Sequence, residues 1–160
     1  MSLPPALDAF LGAIESARPI VALKDSYLAY PLVNTLHIVG IALLFGAIVP
    51  LDLRLIGWRN EVESVDRLSR ILVPVAIAGL LIASSAGLLL FATDARAYAA
   101  APLFQAKVVL IVLAIVNALT LRRVDWRAPR TSRRVALAGA TSILLWLGAI
   151  TCGRLLGYIE

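Results

Sequence analysis

The sequence predicts an all-α, polytopic membrane protein: a bundle of four transmembrane helices preceded by a short N-terminal interfacial helix. Three observations carry that prediction. Of 160 residues, 61% are hydrophobic and only 16% charged, and the mean hydropathy is +0.90. A soluble domain carries about 25% charged residues, and a chain this short has too little interior to hide so much apolar surface. Four stretches reach the roughly 20 apolar residues that cross a bilayer, and arginines gather in two of the connections between them. The same figures exclude a disordered chain, and a single cysteine, Cys152, excludes a disulfide scaffold.

Residues 1–30 read as an N-terminal interfacial segment and 31–160 as the transmembrane domain. Pro4 and Pro5 precede ALDAFLGAIESA, where Leu7, Phe10, Leu11 and Ile14 recur at helical spacing and Asp8 and Glu15 interrupt the apolar run. That pattern suits a short helix lying in the membrane surface. It lacks the basic, apolar and cleavage-site sequence of a signal peptide. A second short piece, PIVALKDSYLAYP, leads into the first span, with Tyr27 and Tyr30 placed for the aromatic belt.

The spans are expected at about 31–51, 71–92, 103–121 and 135–158. Their continuous apolarity lacks the alternation of a barrel strand. Pro50 is expected to kink or end the first span, whereas Pro74 falls in the first turn of the second, where it costs little. Helices in lipid associate through small residues. Gly79, Ala83 and Gly87 form such a stripe on the second span, Gly153 and Gly157 with Ala136 and Ala140 on the fourth, and Ala42 and Gly46 on the first.

Arg54, Arg59, Arg67 and Arg70 follow the first span; Arg122, Arg123, Arg127, Arg130, Arg133 and Arg134 follow the third. The connection between the second and third offers only Arg96. Arginine-rich short loops stay cytoplasmic, so a bacterial inner-membrane protein with both termini outside, in the periplasm, is expected. The net charge of +5 and pI of 10.0 are explained by these loops. They flank spans and meet anionic lipid headgroups. The bilayer is therefore the expected partner, with a second membrane protein or a homodimer as the further class, and nucleic acid is not.

Ionisable groups at membrane depth are costly and mark function by default. His37, the only histidine, lies about 9 Å below the outer end of its span at 1.5 Å per residue. Asn34 is one turn above it. Ser84 and Ser85, Lys107, Thr151 and Arg154 reach a similar depth on the other three spans. Together they suggest an outward-facing polar pocket built from Asn34, His37, Ser84, Lys107, Thr151 and Arg154. Each also has a plainer reading. Lys107 and Arg154 can snorkel to the interface, and the hydroxyls can bond their own helix. Nearer the cytoplasmic end, Asp52 is expected to form a structural ion pair with Arg70 or Arg122 from a neighbouring helix, and Asn117 to hydrogen-bond between helices.

No catalytic set is visible: Ser-His-Asp, HExxH, a Walker loop and a dinucleotide fingerprint are all missing. An enzyme is not expected. No cofactor is predicted either. Haem with two histidine ligands needs two histidines where this chain has one, so it could be held only across a symmetric dimer or with an unusual second ligand, and methionine-rich copper handling fails because Met1 is the only methionine. A metal site would rest on His37 and Cys152, fewer ligands than a closed site needs.

The segment YPLVNTLHIVGIALLFGAIVPLDLRLIG, continued by RLSRILVPVAIAGLLIASSAGLLLFATDARAYAAAPLFQAKVVLIVLAIVNAL, resembles an uncharacterised bacterial family of small four-helix membrane proteins. The likeness covers about residues 10 to 125. SSAGLLLFA stands where that family has a threonine-glycine pair. More remotely, the LH of the first span with Lys107 looks like the membrane domain of copper-resistance D-type proteins, which implies copper import. The combined expectation is a non-enzymatic protein that binds or passes a small solute or ion at His37. The alternatives are an accessory subunit of a membrane complex and a copper- or haem-binding protein.

Overall fold

The computed structural model describes residues 3–58, 63–121 and 133–159. The described residues form α1 (Pro5–Glu15), α2 (Arg18–Asp25), α3 (Ala29–Ile56), α4 (Glu63–Ala92), α5 (Ala95–Ala100), α6 (Pro102–Leu121) and α7 (Arg133–Ile159), with no strand among them. Four of these, α3, α4, α6 and α7, are long and apolar enough to cross a membrane. The predicted all-α four-helix architecture is the one observed. Large apolar side chains such as Leu32, Leu81, Leu88 and Leu144 are exposed on the outside of the bundle. A bilayer is the solvent that tolerates this.

Neither proline bounds a helix. Pro50 lies inside α3, which continues to Ile56. Pro74 lies well inside α4, which begins at Glu63 rather than near residue 71. A proline in a helix frees one carbonyl, and neighbouring helices in lipid can re-satisfy it. What stops α3 is Gly57, at φ 105. Its N–H donates to the Arg54 carbonyl at 3.2 Å and that of Trp58 to the Leu53 carbonyl at 3.1 Å. That double closure needs a left-handed residue.

At the other end, three short helices cap the bundle. The interfacial helix expected at the N-terminus is α1; α2 and α5 accompany it. Its Leu11 is buried, and α1 packs on α5 and on the end of α4. Glu15 is the tether. Its carboxylate accepts the Arg96 backbone N–H at 2.7 Å and the Arg96 Nε at 2.9 Å. Arg96 is therefore a docking residue and not merely a loop charge. Its backbone N–H, against the upward push of burial and with the further help of its guanidinium, holds the Glu15 carboxyl below the usual carboxylate range. A carboxyl lowered in the folded state stabilises docking above its unfolded value, and the stabilisation is lost as pH falls through the lowered one. We therefore expect α1 to stay docked at neutral pH and to release only below pH 4.5. Spin labels at Ala9 and Ala97 should separate as the pH is lowered stepwise below 4.5, and in Glu15→Gln at every pH. A distance indifferent to both would contradict the tether.

Around the bundle, α4 packs on α3, α3 on α7 and α7 on α6. The α3–α4 contact is backbone against backbone. A Cβ on Gly79 would stand 2.5 Å from the Leu44 nitrogen, and one on Gly40 2.5 Å from the Ala83 nitrogen. Gly79 belongs to the predicted small-residue stripe, but its counterpart is Gly40, not Ala42 or Gly46. Gly46 and Gly157 face open space. The core gathers on Leu44, Ala47, Ala76, Ala114 and Trp146. Asn117 behaves as expected, donating from Nδ2 across to the Ala138 carbonyl of α7 at 2.9 Å.

The ring of helices does not close. At the capped end α4 and α6 are joined by Phe91, Tyr98 and Phe104, with the Phe91 and Phe104 rings stacked at 5.1 Å. Along the rest of their length they share at most a marginal contact. Among the described residues α4 and α6 therefore stand apart toward the end that leads to the arginine-rich connections.

Candidate functional site: a cavity between α4 and α6

The predicted outer pocket is assembled only in part. His37 is half-buried, and its Nδ1 donates to the Ala83 carbonyl at 2.7 Å. A carbonyl only accepts, so Nδ1 carries a proton in this contact. Gly87 makes this possible, since a Cβ there would sit 2.9 Å from the imidazole Cε1. Lys107 does not reach for the interface. Its Nζ lies across Gly153, 3.2 Å from where a Cβ would be, within electrostatic range of Cys152 and His37. Of the Gly153–Gly157 pair, Gly153 thus seats the α6 lysine against α7, and Gly157 takes no part.

The other members diverge. Arg154 is exposed and turns along its own helix, donating to the Tyr158 hydroxyl at 2.6 Å with its guanidinium 4.7 Å from that ring's centre. Thr151 is exposed and donates to the Leu147 carbonyl of its own helix at 2.9 Å. Asn34 and Ser84 are exposed on the outside of α3 and α4. The six-residue pocket is corrected to His37 with Lys107, because the intervening side chains satisfy themselves locally or face lipid. Cys152 is a half-buried free thiol. Among the described residues no three His, Cys, Asp or Glu side chains converge as a metal site, so a copper or haem reading has only His37 and Cys152 to rest on.

Of the two arginines expected to pair with Asp52, one is corrected. Arg70 is engaged by Asp66 one turn away on its own exposed face, and Arg122 lies outside the described residues. Asp52 is 4% exposed. The Ser142 hydroxyl of α7 lies in hydrogen-bonding reach of its carboxylate, yet its Oδ2 has no partner among the described residues. The helices come close there because of Gly139: a Cβ at that position would stand 2.9 Å from the Asp52 carbonyl oxygen. One turn from Ser142 lies Trp146, 5% exposed, whose indole N–H is likewise without a partner.

These residues line a cavity of about 230 Å³ in the half of the bundle nearer the arginine-rich connections. Leu44 and Ile48 of α3, Ala76 and Leu80 of α4, and Ile115 and Leu119 of α6 form its apolar walls. Asp52, Ser69, Ser142 and Trp146 are its polar members. The space is the interior side of the α4–α6 gap. Sequence reading missed Ser142 and Trp146. One signal was available: Trp146 is the central residue of α7, whereas tryptophans of spanning helices concentrate at the interfaces.

A buried polar atom without a partner costs about 1–3 kcal/mol. Two of them beside one cavity are a demand for hydrogen-bonding groups from elsewhere. The volume lies between the roughly 150 Å³ that accepts benzene and the roughly 300 Å³ where drug-sized pockets begin. No protein-family model, no curated protein and no solved structure matches the chain.

Proposed function

We propose that this protein is a non-enzymatic membrane protein that binds a small, largely apolar solute, taken from the bilayer through the gap between α4 and α6. The polar pole of the site is Asp52 with Ser142 and Trp146. The observation that carries this reading is the pairing of an apolar cavity with two buried polar atoms that lack partners. Apolar walls with a few placed polar groups are what small-molecule sites have in common, and a lateral gap spares a lipid-soluble ligand any passage through water. His37 and Lys107 stand nearer the capped end and contribute no residue to this cavity.

Phenethyl alcohol is a suitable first probe, an aromatic ring of the right size with one hydroxyl. Added to the purified protein, it should raise the unfolding midpoint saturably, because a ligand that binds only the native state stabilises it by mass action. Ala118→Phe, which fills the cavity from α6, should abolish that shift. A midpoint that responds equally in wild type and Ala118→Phe would mean partitioning into lipid, and the binding reading would fall.

A further inference from the structure

We infer that the polar group taken by the cavity is a protonated amine, held by Asp52; this rests on the binding reading above. An ionised carboxylate removed from water needs a cation or a full set of donors. The described surroundings of Asp52 supply the Ser142 hydroxyl, and Oδ2 is left without a donor. Of the two arginines expected as partners, Arg70 is held by Asp66 instead and Arg122 lies outside the described residues.

A bare metal ion does not meet the demand. Calcium takes 6–8 oxygen ligands and magnesium a near-octahedral set. The cavity's side chains offer the Asp52 carboxylate and the hydroxyls of Ser69 and Ser142. The backbone carbonyls around them are in helices. The rest of the wall is aliphatic and aromatic, so the cation has to bring its own apolar body. An ammonium on a small aryl or alkyl frame does this. It donates to Oδ2 while its body fills the space between Leu44, Leu80 and Ile115. The last torsion of an aspartate is broad, so the oxygen turns toward such a donor at little cost. The Trp146 ring lies in the same wall and suits a cation as well as an aromatic body.

The ion pair forms in either proton order. An ammonium can meet the carboxylate, or a neutral amine arriving through lipid can take the proton of a protonated Asp52. Both routes end in one carboxylate and one ammonium.

The test compares two probes of one shape, phenethylamine and phenethyl alcohol, at neutral pH. Nanodiscs of zwitterionic lipid keep anionic headgroups from concentrating the amine. With wild type, the amine should bind at least about tenfold more tightly than the alcohol, as a hydrogen bond to a charged group is worth that much. In Asp52→Asn, which keeps shape and removes charge, the amine should lose that advantage while the alcohol still binds. Equal binding of the two probes by wild type would overturn the amine inference and leave the binding reading standing. A preference that survives Asp52→Asn would overturn Asp52 as the partner. Binding of neither probe would end both readings.

Discussion

Replacing Gly79 by alanine should lower the stability of the bundle by about 3 kcal/mol, at the top of the usual range for overpacking. The added methyl would stand 2.5 Å from the Leu44 backbone nitrogen and 2.8 Å from the Gly40 carbonyl oxygen. These are backbone atoms in the middle of long helices, and they cannot step aside as a side-chain tip can. The only relief is for α3 and α4 to part along the most extensive interface of the bundle. Gly40→Ala should do the same, since its Cβ would meet the Ala83 nitrogen at 2.5 Å and the Gly79 carbonyl oxygen at 2.9 Å. Gly46→Ala and Gly157→Ala supply the comparison. Nothing lies within 4 Å of either added carbon, so both should stay within about 0.5 kcal/mol of wild type. Unfolding in a graded denaturing detergent would rank the four. A Gly79→Ala protein as stable as Gly46→Ala would refute the close α3–α4 approach, and with it the position of His37 against Ala83.

Asp52→Leu should be more stable than wild type, by about 1–3 kcal/mol, the cost of a buried polar atom left unmet. An apolar side chain removes the partnerless Oδ2, and the adjoining 230 Å³ of space can accept a branched chain. Replacing buried charge by well-packed hydrophobic residues is often neutral or stabilising. The same substitution should abolish the preference for amines. Stability gained while binding is lost marks a residue kept for its chemistry rather than for the fold. A lowered unfolding midpoint for Asp52→Leu would instead make Asp52 a structural residue and remove the basis of the proposed site.

The four spans were legible because lipid imposes a strong, local requirement. Every crossing segment must be long, apolar and internally hydrogen-bonded, so hydropathy alone located them. Their ends were less legible. Pro74 suggested a helix start, but an interior proline is tolerated here and α4 begins at Glu63. Asn117 was readable as an interhelical donor because an amide at that depth has few other choices. Gly79 was readable as a packing residue, but its partner Gly40 was not, because register between helices is not written in either helix alone. The outer pocket was misread for a related reason. Thr151 and Arg154 share a depth with His37, yet each finds its partner within its own helix, and depth says nothing about which way a side chain faces.

Residue types in order were enough to determine the class of this protein, the number of its spans and the grouping of its arginines, since each depends on the chain's own contact with lipid and water. Which polar groups remain without partners was decided only by the tertiary structure. Asp52 looked like half of an ion pair; among the described residues it keeps the Ser142 hydroxyl and an Oδ2 without a partner, with Arg70 turned to Asp66 and Gly139 letting α7 close over it. Trp146 went unread in the sequence, and is a cavity wall because four helices meet around it as they do. Burial is a property of single segments. Satisfaction of a buried group, and the empty space beside it, depend on how four segments meet.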